Sequence, residues 1–428
     1  MKLWEKAGTQ LDPIVERFTI GRDPQFDIAL ARYDVLASIA HARMLGECGI
    51  ITSDEAALLV AELERIAERI ERGEFRIADG IEDVHSQLEA ELTAALGSIG
   101  EKIHTARSRN DQVLTALVLY VRDRMRRTIE QSERLVRTML EWAQSHRHVP
   151  MPGMTHLQAA MPTTFALWMA SFAESLLEDI AFAEPVLHLA GKNPLGTAAG
   201  YGSSFPIFRH RTTELLGFDE TVASPAAAQL LRGKIERAVA IALSAQAATL
   251  GRFAMDVVLY VSTGFRFLRL PPWLSTGSSI MPHKQNPDVF ELLRGRFNRL
   301  QLLPSDIAAV TMNLPSGYHR DYQLLKELLL PAWDDFDECI GVLLHVLPHI
   351  EPVDGLLERQ EYSAIGSVER IHRRMRSTGE SFRAAYRAVA TEIGTGAVSI
   401  APDDLAYLDR LESDALALLG ERLDNRNR

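Results

Sequence analysis

Residues that can do chemistry concentrate in a flexible segment, Ser275–Pro287, where polar and charged side chains cluster without a helical period. The segment combines the mobile Gly277, the hydroxyl of Ser278, the cation of Lys284 and the amide of Asn286. A serine beside a lysine on a flexible loop can serve proton abstraction, with the lysine stabilising the oxyanion that develops. The alternative is an ordinary loop rich in serine and glycine, with no catalytic role.

A second segment, Lys102–Gln112, carries Arg107, Arg109 and Asn110 just before a long helical pattern. The N-terminus of a helix already favours an anion, and arginine adds a bidentate fork for a carboxylate or phosphate. The spacing therefore predicts an anion site at the helix start. A solvated basic turn with an Asn or Asp cap is the alternative.

A third segment, Pro152–Gln158, places Thr155 beside His156 in a connection between two predicted helices. The histidine suits a general acid or base, and the threonine suits a donor that positions a substrate. A single histidine in a loop is more often structural, and the local sequence alone leaves both interpretations open.

The fourth segment, Ser316–Lys326, brings Tyr318, Arg320, Gln323 and Lys326 to the start of a helix. This combination predicts recognition of a charged substrate with hydrogen-bonding groups. A helix cap surrounded by surface charges is the alternative.

Motifs for cofactors are missing from the sequence. The run Gly200–Phe205 lacks the third glycine of the dinucleotide fingerprint, and no phosphate-binding loop occurs. His146 and His148 have no acidic partner at ligand spacing. We therefore expect neither a metal nor a nucleotide cofactor.

Helical periodicity dominates the segments that must position these residues. Residues Asp111–Val149 contain neither Gly nor Pro, and an apolar stripe recurs along a helix of roughly 55–60 Å. Further helices are predicted at Thr163–Glu184, Ala226–Leu270, Asp288–Leu303 and from Pro331 to before Pro348. We expect an all-α protein with an N-terminal helical domain (1–106), a central long-helix bundle (107–352) and a small C-terminal helical domain (353–428).

Composition narrows the class of protein. The 428 residues carry a formal net charge of -11, which argues against nonspecific binding to nucleic acid. Two cysteines, Cys48 and Cys339, cannot form a disulfide framework and fit a reducing cytosol. The N-terminus lacks the pattern of a signal peptide, and the most apolar stretch, Ala238–Gly264, contains charged residues. These features predict a cytoplasmic protein with no membrane span.

The segment Gly277–Pro287 resembles the Gly-Ser-Ser-x-Met-Pro-x-Lys-x-Asn-Pro motif of the fumarase/aspartase superfamily. Within that superfamily, His104–Gln112, Pro152–Gln158 and Tyr318–Lys326 resemble the motifs of the argininosuccinate lyase family. Glu82–His85 and the pair Asp34 and Ser38–His41 also match. The resemblance covers nearly the whole chain, in order and with matching spacing.

This resemblance implies cofactor-free, reversible anti elimination of argininosuccinate to arginine and fumarate. Ser278 would be the base, and His156 would be the acid or would work through water, oriented by Glu291. In this family the acid and base roles have been assigned both ways. Lys284 and Asn286 would stabilise charge on the fumarate carboxylate. The remaining implied contacts are with the succinyl part through Ser38, Arg109, Asn110 and Thr155, and with the arginine part through Tyr318, Gln323 and Lys326.

The resemblance also implies a homotetramer with a twenty-helix core and active sites shared between three subunits, which explains apolar stripes too long for one chain. Ala106 departs from the family by replacing a glycine, and Ile365 and Gly366 replace a usual Thr-Asp. Two alternatives stay open. One is a lyase that releases fumarate from another N-substituted aspartate, and the other is a catalytically silent homologue like the related eye-lens crystallins. Adenylosuccinate lyase fits less well because its loop pattern differs.

Overall fold

The computed structural model describes residues 12–396 and 398–426. The segment on which the expectation of no signal peptide rests lies mostly outside the described residues. The α-helices are α1 (Pro13–Ile20), α2 (Asp23–Asp27), α3 (Ala31–Glu47), α4 (Ser53–Glu71), α5 (Val84–Leu96), α6 (Ser98–Glu101), α7 (Arg109–Ser145), α8 (Phe165–Ile180), α9 (Glu184–Ala190), α10 (Arg209–Leu215), α11 (Pro225–Gln229), α12 (Lys234–Val261), α13 (Asp288–Leu300), α14 (Leu303–Thr311), α15 (Leu324–Val346), α16 (Ser367–Thr378), α17 (Phe382–Gly394) and α18 (Leu408–Arg426). The all-α class is confirmed.

Short strands form two-stranded sheets between the helices. They are β1 (Pro150–Thr155), β2 (Gln158–Thr164), β3 (Lys192–Asn193), β4 (Glu220–Thr221), β5 (Leu268–Arg269), β6 (Thr276–Gly277), β7 (Gln285–Asn286) and β8 (Glu351–Pro352). The pairs β1–β2, β5–β8 and β6–β7 are antiparallel, and β3–β4 is parallel. Two of these pairs shape segments that the sequence singled out for chemistry.

The long helices agree with the apolar stripes, with shifted ends. The helix α7 has 37 residues and begins two residues before the predicted start. The predicted helix over Ala226–Leu270, with expected interruptions at Gly233, Gly251 and Gly264, is divided at Gly233, which takes a φ of +76° between α11 and α12. Gly251 lies inside α12 and does not interrupt it. The helix α13 begins at Asp288, directly after Pro287, as predicted.

The prediction that Pro331 begins a helix is wrong. The helix α15 begins at Leu324, and Pro331 lies inside it. Proline has no N–H, so the carbonyl of Glu327, four residues earlier, lacks its usual helical donor. Leu325, Leu329 and Leu330 are buried ahead of the proline and continue the apolar stripe, and burial of that stripe outweighs the lost bond.

The N-terminal helices pack around one apolar core and are fixed by local caps. Thr52 and Glu55 form a capping box at the start of α4, with N–H to side-chain oxygen distances of 3.0 and 3.2 Å. Asp83 caps α5 by accepting the N–H of Ser86 at 2.8 Å. Buried side chains of this core include Leu45, Leu59, Leu63 and Phe75.

The residues pack as two compact units. Unit 1 runs to Ile129 and includes Phe182–Ser244 and Leu300–Asp335. Unit 2 comprises Glu130–Ala181, Ala245–Arg299 and the chain from Phe336 onward. The predicted division into residues 1–106, 107–352 and 353–428 stays a prediction.

One helix among the described residues, Lys234–Val261, is long and apolar enough to cross a membrane by length and composition alone. In the folded chain, 61% of its most apolar window is buried. Burial of this kind is typical of a core helix in a globular protein.

Candidate active site

Unit 1 contains a cavity of about 410 Å³ lined by charged groups of both signs. Five of the residues predicted to bind substrate meet there, although they come from sequence segments about 200 residues apart: Arg109, Asn110, Tyr318, Gln323 and Lys326. The other lining residues are Asp23, Glu82, Asp83, His85, His104, Ser108, Val113, Arg232 and Arg320.

Asp111 fixes the loop that carries Arg109 and Asn110. Its Oδ1 atom accepts the N–H of Ser108 at 2.9 Å. Its Oδ2 atom accepts the N–H groups of Gly196 and Ala198 at 2.9 and 2.8 Å. The carboxyl is fully buried, and burial raises its pKa to about 6 against these three donors. Asp111 therefore holds the start of α7 against a second loop by main-chain bonds.

Arg109 is held against carboxylates on the start of α5. Its Nη1 atom lies 3.1 Å from Glu82 Oε2 and 3.3 Å from Asp83 Oδ2, and its Nη2 atom donates to Ser86 Oγ at 2.9 Å. Burial lowers the pKa of Arg109, but Asp83 and Glu82 outweigh it and leave the pKa raised. The guanidinium thus stays charged with a fixed orientation at the cavity wall.

The turn Arg320–Gln323 ties the end of α1 to the cavity. Arg320 Nη2 donates to the carbonyl of Thr19 at 2.8 Å and to Glu82 Oε1 at 2.5 Å. Gln323 Nε2 donates to the carbonyl of Ile20 at 2.6 Å. The carbonyls at the end of a helix lack partners within that helix, and these side chains supply them.

Lys326 is a buried cation between two aspartates. Its Nζ atom lies 2.6 Å from Asp23 Oδ1 and 2.7 Å from Asp27 Oδ1. Burial lowers the pKa of Lys326, but the attraction of Asp27 and Asp23 outweighs it and leaves the pKa raised. Beneath this pair, His85 Nδ1 lies 2.9 Å from Asp34 Oδ2. The floor of the cavity is therefore a network of buried charges.

Asp23 and Arg232 line this cavity and Asp27 lies beneath it, and none of the three was predicted from the sequence motifs. The signal for the two aspartates was their spacing of four, which places both on one face of a short helix. Arg232 is buried and donates to Glu236 Oε1 at 3.1 Å and to the carbonyl of Tyr322 at 3.0 Å. Nothing in its local sequence distinguishes it from a surface arginine.

Ser38 does not line the cavity. Its side chain is 1% exposed, and its Oγ atom accepts a hydrogen bond from Arg107 Nη1 at 2.9 Å. Contact of Ser38 with the succinyl part of a substrate stays a prediction. The structure gives the serine a bond to the loop that precedes α7.

His156 lies in unit 2, at the tip of a β-hairpin rather than in a plain loop between helices. The strands β1 and β2 pair from Pro150 with Thr164 to Thr155 with Gln158, so His156 and Leu157 form a two-residue turn. Their φ angles are +56° and +57°, which L-residues rarely adopt. The hairpin presents Thr155 and His156 as exposed side chains on a strained tip.

Ser278 and Lys284 lie on a second loop in unit 2, closed at its base by β6 and β7. Thr276 pairs with Asn286 in this short sheet. Ser278 Oγ accepts the N–H groups of Ile280 and Met281 at 3.3 and 3.1 Å. The loop is exposed along most of its length, and the Lys284 side chain is exposed. Asn286 is thereby fixed at the base, while Ser278 starts the projecting part.

Glu291 is exposed in the first turn of α13. Among the described residues, no hydrogen bond joins Glu291 to His156. The predicted orientation of His156 by Glu291 stays a prediction.

His148 has no acidic partner at ligand spacing along the chain, but the fold brings two carboxylates to it. Its Nδ1 atom lies 2.8 Å from Asp409 Oδ1 and 3.4 Å from Glu412 Oε2, both near the start of α18. These partners follow in sequence by more than 260 residues, so ligand spacing along the chain did not indicate them. Arg147 lies 3.6 Å from the buried Glu412, and this cation together with the helix N-terminus opposes binding of a metal ion.

Comparison with known proteins identifies the general class of protein to which this chain belongs. Residues 5–302 match a family of lyases described as "Lyase". The solved structure of a fumarate lyase:delta crystallin from Brucella melitensis has a TM-score of 0.75 and 18% identity, covering 96% of this chain and 93% of that one. The chain thus has the fold of the fumarase/aspartase lyases.

Sequence relatives define the family more narrowly. The argininosuccinate lyase of Bacteroides fragilis is 47% identical over 395 residues, which is 92% of this chain and 88% of the relative. The argininosuccinate lyase of Stenotrophomonas maltophilia is 38% identical over 388 residues, 91% of this chain and 90% of the relative. The chain belongs to the argininosuccinate lyase family.

Proposed function

We propose that this enzyme cleaves argininosuccinate reversibly to arginine and fumarate. The observation that carries the proposal is the meeting of Arg109 and Asn110 with Tyr318, Gln323 and Lys326 around one cavity. Cations and amides suit the carboxylates of the substrate, and the phenol of Tyr318 adds a further hydrogen-bonding group. The similarity to argininosuccinate lyases over most of the chain supports the same substrate.

The proposed contacts divide the substrate into two parts. Arg109, Asn110 and Thr155 hold the succinyl part, with Ser38 supporting that region. Tyr318, Gln323 and Lys326 bind the arginine part. The fixed position of Arg109 against Glu82 and Asp83 supports its role, because an oriented guanidinium binds a carboxylate with less loss of entropy.

The proposed reaction is a proton transfer followed by cleavage of a C–N bond. Ser278 removes the proton from the carbon next to a succinyl carboxylate, and the electron pair is held as an aci-carboxylate. Lys284 and Asn286 stabilise that charge. As the C–N bond breaks, His156, oriented by Glu291, protonates the departing guanidinium nitrogen. This scheme needs no cofactor, because Ser278 accepts the proton that leaves carbon and His156 donates a proton to the leaving nitrogen.

A serine needs a strongly positive surround to act as a base near neutral pH. Lys284 lies six residues after Ser278 on the same exposed loop, so closure of that loop over a bound substrate supplies both the cation and the exclusion of water. In this scheme Ser278 and Lys284 act only when the loop is closed. Exchange of the acid and base roles between Ser278 and His156 is an alternative scheme for the same reaction.

We propose a homotetramer that shares each active site between three subunits. Apolar side chains exposed on the long helices support this assembly, because packing against helices of other chains would bury them. Examples are Leu292 at 67% exposure, Met255 at 42% and Ile241 at 41%. A cytoplasmic location agrees with the two free cysteines. Light scattering on purified protein would test the assembly, and a mass near one chain would contradict it.

Fumarate absorbance in the ultraviolet tests the activity directly. Purified enzyme mixed with argininosuccinate is expected to release fumarate, and Ser278→Ala is expected to lose this activity. Ser275→Ala is the matched control, since it removes a hydroxyl from the same segment without touching the assigned residues. A folded enzyme that leaves argininosuccinate intact but releases fumarate from another N-substituted aspartate would replace the proposed substrate.

A further inference from the structure

Two carboxylates face a single ammonium group at one wall of the cavity. Lys326 Nζ lies within 2.7 Å of both Asp23 and Asp27. Asp23 begins the short helix α2 and Asp27 ends it, so both point to the same side of that helix. Among these three groups, two carboxylates therefore share one ammonium group.

The two aspartates differ in their capacity to bind a ligand. Asp27 is fully buried, does not line the cavity, and is bonded on both oxygens, to Lys326 and to the N–H of Val84 at 2.9 Å. Asp23 does line the cavity, and its side chain is 12% exposed. Within the described residues, Lys326 is the one cation in ion-pair distance of Asp23.

A cation from outside the chain would balance the charge that Lys326 leaves uncompensated at this wall. Lys326 is shared with Asp27, so it compensates only part of the cost of burying Asp23. Burial accordingly raises the pKa of Asp23 to about 6, above its ordinary value, despite the nearby lysine. Above that pH, Asp23 is an ionised carboxylate at a cavity wall with incomplete compensation. A ligand ammonium lowers that cost.

We propose that Asp23 binds the α-ammonium group of the arginine part of the substrate, while Lys326 binds the adjacent α-carboxylate. This inference rests on the proposed function and deepens it. The four charges then alternate in sign: the Asp23 carboxylate, the ligand ammonium, the ligand carboxylate and the Lys326 ammonium. Asp23 thus determines specificity for a free α-amino acid end.

Product inhibition measures this contact without changing the reacting groups. The inhibition constants of L-arginine and of 5-guanidinopentanoate, which is arginine without its α-amino group, are measured during cleavage of argininosuccinate. In the unchanged enzyme we expect L-arginine to inhibit about 10- to 100-fold more strongly, the range for a charge-assisted bond. Agmatine, which lacks the carboxylate, reports on Lys326 in the same assay.

Asp23→Asn supplies the decisive comparison. We expect it to weaken inhibition by L-arginine about 10- to 100-fold and to change inhibition by 5-guanidinopentanoate little. A purely structural role of Asp23, through the position of Lys326, would weaken both inhibitors by the same factor and would overturn the proposal. Asp54→Asn, an exposed aspartate on α4, is the matched control for loss of one negative charge.

The outcomes separate this inference from the proposed function. If the unchanged enzyme releases no fumarate from argininosuccinate, the proposed function fails. If it releases fumarate but is inhibited equally by L-arginine and 5-guanidinopentanoate, the proposed function stands and Asp23 has no role in recognition. This second comparison needs no variant, so it holds even if Asp23→Asn fails to fold.

Discussion

Arg107 donates a hydrogen bond of 2.9 Å to Ser38, and both side chains are buried. The bond joins α3 to the loop that carries Arg109 and Asn110. Burial lowers the pKa of Arg107, although Asp34 and Asp111 act against this effect. This hydrogen bond helps to position the loop whose residues Arg109 and Asn110 line the cavity. Ser38 therefore has a structural role that can be tested separately from substrate binding.

Ser38→Ala is expected to lower the free energy of unfolding by about 1–3 kcal/mol, because one buried N–H of Arg107 loses its partner. Thermal or denaturant unfolding measures this change, and steady-state kinetics measures KM for argininosuccinate. We expect a clear loss of stability with a small change in KM. A large rise in KM at unchanged stability would instead show that Ser38 contacts the succinyl part directly.

Ala106→Gly is expected to stabilise the enzyme. Ala106 has a φ of +60°, a conformation that costs a residue with a Cβ atom about 1–2 kcal/mol, and glycine avoids that cost. Glycine also gains freedom in the unfolded chain, which offsets part of the gain, so we expect an increase of up to about 1 kcal/mol.

Ala57→Gly is the matched control for Ala106→Gly. Ala57 is exposed within α4, where glycine costs about 1 kcal/mol. The same chemical change should therefore have opposite signs at the two positions. Destabilisation at both positions would show that the loop before α7 does not keep the left-handed conformation in solution.

The helices of this fold could be predicted from the sequence for a physical reason. An apolar stripe with a period near 3.6 has to be buried, and the motifs fall where that stripe stops. The meeting of the motif residues 109–110 and 318–326 at one cavity follows from packing, which periodicity does not describe. The family resemblance indicated it only because related chains fold alike.

The parts that sequence reasoning did not reach have equally physical causes. The hairpin β1–β2 contains Pro150, Pro152, Gly153 and Pro162, residues that are depleted in strands, so its pairing left no alternating pattern. The ion pairs of Asp23 with Lys326 and of His148 with Asp409 join residues more than 250 positions apart. Pairs so far apart in the chain cannot be recognised from the spacing of residues in a local segment.

Leu157→Gly is expected to stabilise the hairpin while lowering catalysis. Leu157 is 64% exposed, so little apolar contact is lost within the chain, and glycine removes the cost of its φ of +57°. We expect the free energy of unfolding to rise by about 1 kcal/mol. The value of kcat/KM should fall, because a looser tip orients the neighbouring His156 less well.

Gln158→Gly serves as the contrast to Leu157→Gly. Gln158 is the next residue and is exposed in the extended strand β2, where glycine costs about 0.5–1 kcal/mol. Unfolding curves and kinetics on both variants separate strain at the tip from general flexibility of the hairpin. If Leu157→Gly also lost stability, the strained turn would have no support.

Inhibition by L-arginine is expected to weaken as pH falls below about 6. Burial raises the pKa of Asp23 to about 6, with Lys326 acting to lower it and Asp27 and Asp83 acting to raise it further. A raised pKa means that the carboxyl is protonated in the folded enzyme at pH values where an ordinary aspartate is still ionised. A protonated carboxyl has no charge to attract the α-ammonium group.

The size of this effect follows from the fraction of ionised Asp23. One pH unit below the pKa, about a tenth of the carboxyl is ionised, so the inhibition constant of L-arginine should rise about tenfold between pH 7.5 and pH 5. Inhibition by 5-guanidinopentanoate, which has no ammonium group, should not share this dependence. His85, whose pKa is raised by Asp34 against burial, acts on both inhibitors alike. In Asp23→Asn the ratio of the two inhibition constants should therefore be independent of pH, and a ratio that still changes near pH 6 would assign the titration to another group at the cavity.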